Sequence, residues 1–202
     1  MENIKGNKKV INGWIFYDWA NSVYPLVVTS TIFPTFYEKN TEKVVSFLGM
    51  QLSNTQLYAY MGALSFIIVS ILSPILSGVA DFSGNKRRFL QTFCYMGACG
   101  CACLSFFNAN YLELSFLAFL CASVGFWGSL VFYNAYLPEI AETKDQDKIS
   151  AKGFAMGYFG SSLLLIIILV LGTKELFGFK FYMAFILTAL WWIGFSQITY
   201  RR

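Results

Sequence analysis

The 202-residue sequence predicts an all-α, polytopic membrane protein with six transmembrane helices. Charged residues make up only 13% of the chain against 56% hydrophobic, about half the charge of a soluble domain. The charges cluster between stretches of roughly 20 or more residues that hold almost none, and a helix of about 20 residues crosses a hydrocarbon core of about 30 Å. Those stretches lack the period-two alternation of a membrane β-strand, which excludes a barrel. The composition also excludes a disordered chain, a collagen-like chain and an ordinary globular enzyme. A net charge of +4 whose lysines and arginines sit in loops excludes a nucleic-acid binder.

The first predicted span, 13–37, follows an arm carrying Lys5, Lys8 and Lys9. The arm has the look of a signal-peptide start. The apolar stretch behind it runs about 24 residues without a small-residue cleavage site, so an uncleaved span is expected. Hydropathy then places spans at 54–80, 88–107, 112–137, 153–173 and 181–199, several of them with tilt. Six spans leave both ends on one side. That side carries eleven basic residues: the three lysines of the arm, Lys86, Arg87, Arg88, Lys144, Lys148, Lys152, Arg201 and Arg202. The other carries four, Lys39, Lys43, Lys174 and Lys180, so both termini are expected in the cytoplasm, with the protein in the plasma membrane.

All five cysteines, Cys94, Cys99, Cys101, Cys103 and Cys121, lie in apolar stretches, without a C-x-x-C pair and without any histidine in the chain. They are read as small, soft packing residues between helices, and neither a disulfide frame nor a zinc site is expected.

Asp18 is the carboxylate that stands well inside a span, within Trp14-Ile15-Phe16-Tyr17-Asp18-Trp19-Ala20-Asn21-Ser22. Placing it there costs roughly 2.5–3.5 kcal/mol even on the lenient insertion scale, so it should face a cavity or a partner. Trp14, Asp18, Asn21 and Pro25 share one helical stripe, with Ser22 beside it. The functional reading is a cavity-facing stripe on which Asp18 binds a proton, a cation or a substrate amine. The other reading has Asp18 snorkelling to the interface or capping a neighbouring backbone. No lysine or arginine lies deep in a span, so its partner is a proton, a solute or another segment.

In the fourth span Ser129, Tyr133 and Tyr136 share a face, with Asn134 next to it. They form a second polar and aromatic strip at about the depth of Asp18, or a set of interface anchors. Gly125/Gly128 and Gly153/Gly157/Gly160 read as seams where helices approach closely.

The loop Gly78-Val79-Ala80-Asp81-Phe82-Ser83-Gly84-Asn85-Lys86-Arg87-Arg88 joins two long spans. Its glycines permit a tight turn, and its carboxylate and basic group can pair with helix ends and with each other. With Gly78, Asp81, Gly84 and the basic cluster Lys86, Arg87 and Arg88, it resembles the loop between helices two and three of the major facilitator superfamily. Within that superfamily the chain is most similar to the vacuole-effluxer-like, autophagy-related permease-like branch. The resemblance lies in Tyr17-Asp18-Trp19-Ala20-Asn21-Ser22, in the loop, in Phe132-Tyr133-Asn134-Ala135-Tyr136-Leu137-Pro138-Glu139-Ile140-Ala141 and in the stretch from Ser150 to Gly160. It departs where Phe82 replaces a usual basic residue, and where Lys148 and Ile149 precede Ser150 in place of an arginine.

The resemblance implies two six-helix halves around a central cavity with alternating access, of which this sequence matches the N-terminal half. It puts Asp18, Asn21, Tyr133 and Asn134 near the cavity, and with Ser22 of the stripe these are the residues expected to bind substrate or proton. It further implies secondary transport of a small solute, amino acids and export included; the uncompensated Asp18 points to a proton as coupling ion. The expected partners are the bilayer, the solute, and a second six-helix half or another copy, because one half carries one wall. The expectation is that the sequence is a piece of a longer carrier. The alternative is a six-helix membrane scaffold or partner subunit without transport of its own. An enzyme is disfavoured: the spans hold no histidine, no metal-ligand cluster and no nucleophile–base pair.

Overall fold

The computed structural model describes residues 5–201; the side chains of Ala80, Asp81 and Ser83 are outside the described part. The chain is an all-α membrane bundle, with five helices that are individually long and apolar enough to cross a bilayer. A sixth rod is assembled from three consecutive segments.

That rod holds α1 (Lys8–Asn21), a π-helical stretch (Tyr24–Ile32) and α2 (Phe33–Asn40). Asn7 caps α1 by accepting the Lys9 amide at 2.9 Å. Pro25 has no N–H to give and opens the wide turn, in which Phe33 N–H and the Thr31 hydroxyl reach back five residues to Val28 and Leu26. The predicted single helix over 13–37 is therefore a composite. Its backbone changes pitch from Tyr24, six residues after Asp18.

The connection between α2 and the next long helix forms a small hairpin, β1 (Val44–Phe47) with β2 (Met50–Ser53), which hydropathy did not foretell. Leu48 and Gly49 turn it with φ of 50° and 78°, the left-handed pair that a two-residue hairpin loop requires. Ser53 and Gln56 then exchange backbone and side-chain hydrogen bonds, a reciprocal cap that starts α3 (Asn54–Ser83).

Gly84, at φ +64°, ends α3 and lets α4 (Lys86–Cys103) turn back within two residues. α5 (Leu112–Ile140) follows, and a two-residue link leads to α6 (Thr143–Thr173). α6 starts ten residues before the predicted span because its charged first turns are helical but too polar for hydropathy to detect. α7 (Met183–Tyr200) closes the bundle.

The most extensive packing is α4 on α5, where Gly97 faces Gly125 and the Gly100 position abuts the α5 backbone at Ala122, too close for a side chain. α7 packs on both α4 and α1, and α6 packs on α1. Trp192, Tyr24 and Phe126 fill the centre, and Phe33, Phe119 and Phe185 the end near the hairpin. α3 lies against α5 at the margin, with only 6% of its most apolar stretch buried inside the fold. Cys94 and Cys101 pack in the core as expected, whereas Cys99 and Cys103 are exposed on the bundle's outer surface and Cys121 is half-buried.

Candidate functional site

α5 and α6 diverge beyond their short link, and the first span lies beneath the gap. A groove of about 450 Å³ results. Asp18, Asn21, Ser22 and Pro25 form its floor, Phe126, Trp127 and Leu130 of α5 one wall, and Phe154, Tyr158 and Ser161 of α6 the other. Three of the five residues expected to bind solute or proton therefore share one cavity.

Asp18 is 4% exposed, buried inside the bundle and not on its outer face. The Tyr133 hydroxyl donates to its Oδ2 at 2.9 Å. Among the described residues no basic side chain pairs with it. Tyr133 is itself pinned: its ring stacks on Trp14 with centroids 4.1 Å apart, and its carbonyl accepts the Trp14 indole N–H at 2.8 Å. From α6, Gly153 closes over the pair, since a Cβ there would lie 2.6 Å from Asp18 Oδ2 and 3.1 Å from the Tyr133 oxygen. Gly157 meets Ser22, and Gly160 meets Trp19. The glycine seam is thus the surface on which α6 docks against the polar stripe.

Asn21 is 1% exposed, and its Nδ2 has no hydrogen-bond partner among the described residues. Its Oδ1 accepts the Ser22 hydroxyl at 3.4 Å. A buried amide donor left open costs roughly 1–3 kcal/mol, so a ligand acceptor in the groove would relieve it. Acceptor (Asp18) and donor (Asn21) therefore stand one helical turn apart on the same floor.

Tyr133 and Asn134 do not line the groove. Tyr133 stands behind Asp18, and Asn134 is exposed on α5 next to it. Phe154, Tyr158 and Ser161 were missed as wall residues. Their spacing of i, i+4, i+7, one position after each of the seam glycines, was the available signal: the stripe beside a docking seam borders the gap.

At the bundle end that bears Lys5 and Arg201, Lys86 Nζ donates to Glu139 Oε1 at 2.6 Å, tying the α3–α4 turn to the end of α5. Gly6 N–H reaches the Ile140 carbonyl at 2.9 Å. Of the other loop residues, Arg87 and Arg88 are exposed, Gly84 takes the left-handed turn, and nothing lies within 4 Å of where a Gly78 side chain would start. The side chain of Asp81 is outside the described residues.

Residues 6–201 match the family model described as vacuole effluxer Atg22 like. An uncharacterized MFS-type transporter, YxiO of Bacillus subtilis, is 35% identical over 191 residues, which cover 90% of this chain and 43% of that protein. Autophagy-related protein 22 of Coccidioides immitis is 22% identical, covering 74% of the chain and 31% of the relative. Its counterpart in Vanderwaltozyma polyspora is 23% identical, covering 96% and 45%. The chain thus spans less than half the length of these relatives. No solved structure matches it.

Proposed function

The chain belongs to the Atg22-like family of vacuole effluxers, and from that membership we propose that it forms one wall of a secondary active transporter of the major facilitator superfamily, moving a small solute by alternating access. The observation that carries this is the groove floor: a buried carboxylate that has no cationic partner among the described residues, and one turn away a buried amide donor left unsatisfied. A carboxylate in a bilayer is rare enough to mark a solute or ion path.

The pairing suits an α-amino acid, whose ammonium group meets Asp18 and whose carboxylate meets Asn21 Nδ2 and the Ser22 hydroxyl. The coupling ion is a proton on Asp18, and transport runs as export. The opposite wall comes from a second six-helix unit, which also covers the apolar flanks of α3 and α6, where Phe66, Ile67, Phe154 and Phe159 stand exposed. The basic end faces the cytoplasm and the protein resides in the plasma membrane. The scaffold alternative leaves the cost of burying Asp18 and Asn21 without a purpose.

The test is uptake of radiolabelled amino acids into proteoliposomes holding the full-length protein under an imposed pH gradient. Asp18→Asn is expected to lower gradient-driven uptake at least tenfold. Unchanged uptake would sink the reading, and no binding of any amino acid by purified protein would favour a scaffold.

A further inference from the structure

A second cavity lies behind the groove. This cleft of about 620 Å³ opens at the basic end of the bundle, between the start of α1, the start of α4 and the ends of α5 and α7. Trp14 and Tyr133 line it, but Asp18 does not; Asp18 lines the groove, and Trp14 and Tyr133 do not. The stacked Trp14–Tyr133 pair therefore separates the two spaces. The contact that passes through this partition is the hydrogen bond from the Tyr133 hydroxyl to Asp18. On the cleft side, Tyr133, Tyr136 and Glu139 follow one another at i, i+3 and i+6 along α5. At about 1.5 Å per residue this row covers roughly 9 Å of depth, from the Asp18 contact to the mouth.

We propose that Asp18 exchanges its proton with the aqueous phase through this cleft, by way of the Tyr133 hydroxyl, on a route separate from the solute groove. The proposal rests on the reading of Asp18 as the proton site. In loading, a hydronium in the cleft gives a proton to the phenolic oxygen of Tyr133. The phenol's own proton moves along the existing hydrogen bond onto Asp18 Oδ2. One water, one intact phenol and one carboxylic acid remain, so a single proton is transferred and only O–H bonds form or break. Unloading is the reverse.

Groups from each packed element face this path, and from α4 it is Cys94, which lies against Tyr17 and Tyr200. Asp18 meets Tyr133 of α5, and from α6 the side-chain-free Gly153, with Tyr158 in the same groove. Tyr17 of α1 lies against Tyr133 and against Tyr200 of α7. The cleft is faced by Lys9, Arg87, Arg201 and by Glu139, which Lys86 holds. A cationic mouth disfavours a resting proton in the cleft, so the route carries protons without storing them.

The experiment uses full-length protein in lipid nanodiscs, with Cys99, Cys103 and Cys121 replaced by Ala. A single cysteine is then introduced in the cleft wall (Val10→Cys) or in the groove (Leu130→Cys), and each is measured before and after attachment of a bulky maleimide. After a pH jump, the infrared carboxylic-acid band that Asp18→Asn removes reports loading of Asp18. The expected result is at least tenfold slower loading when the cleft is plugged, no change when the groove is plugged, and slowing by Tyr133→Phe equal to that of the cleft plug. Slowing by the groove plug, or no slowing by the cleft plug, overturns the route while leaving Asp18 as the proton site. A protein in which no Asp18-dependent band titrates overturns the proposed function, and the route with it.

Discussion

Tyr133 ties together groups far apart in the sequence: its hydroxyl serves Asp18, its ring stacks on Trp14 and its carbonyl takes the Trp14 N–H. Interhelical hydrogen bonds between neutral groups in membranes average about 0.6 kcal/mol, whereas bonds to a charged group reach about 1.5–3 kcal/mol. Tyr133→Phe should therefore destabilise the protein by about 2 kcal/mol at a pH where Asp18 is ionised. The penalty should shrink towards the neutral value as the pH falls and the carboxylate gains its proton. Unfolding in detergent at several pH values checks this, and a double-mutant cycle with Asp18→Asn should show non-additivity of about 1 kcal/mol or more. Asp18 was legible as the costly residue of the first span because any carboxylate stands out in an apolar stretch. Tyr133 was legible only as one tyrosine of an aromatic strip, since its partner lies on another helix.

Among the elements, the α1–α6 contact is exacting, because it is built on glycines whose missing side chains admit Asp18, Ser22 and Trp19. Gly153→Ala should push α6 off the Asp18–Tyr133 pair at a cost of about 1–3 kcal/mol, the range for overpacking a tight contact. Gly62→Ala and Gly194→Ala serve as controls: each has open space at its Cβ and lies within a helix, so each should be neutral or slightly stabilising. Thermal unfolding of the three variants in the same detergent separates these outcomes. Gly84→Ala should cost about 1 kcal/mol for a different reason, since its φ of +64° strains any L side chain. The sequence showed the glycine spacing, but a spacing does not name the helix that fills it. Neither the π-helical stretch nor the hairpin was legible, because hydropathy senses burial in lipid and is blind to backbone pitch.

For the whole molecule, the charge asymmetry makes a direct topological prediction. A membrane-impermeant maleimide should label Ser46→Cys on intact cells, and Lys144→Cys only after permeabilisation, in a background without the exposed native cysteines. The opposite pattern would invert the bundle and place the cleft of Tyr136 and Glu139 on the outside.

The sequence by itself determined the all-α membrane class, the rough positions of the long apolar helices and the family, because lipid imposes long apolar helices and the family motifs are contiguous in the chain. It also singled out the polar stripe of Asp18, Asn21 and Ser22, since neighbours on one helix face follow from a fixed period of 3.6 residues. Only the tertiary structure decided that Tyr133 lies behind this stripe, that Gly153 seals it, that Asn134 falls outside the groove and that Tyr158 lines it. Those facts depend on the rotation and divergence of packed helices. Such angles are set by side chains meeting across the bundle, and no single segment encodes them.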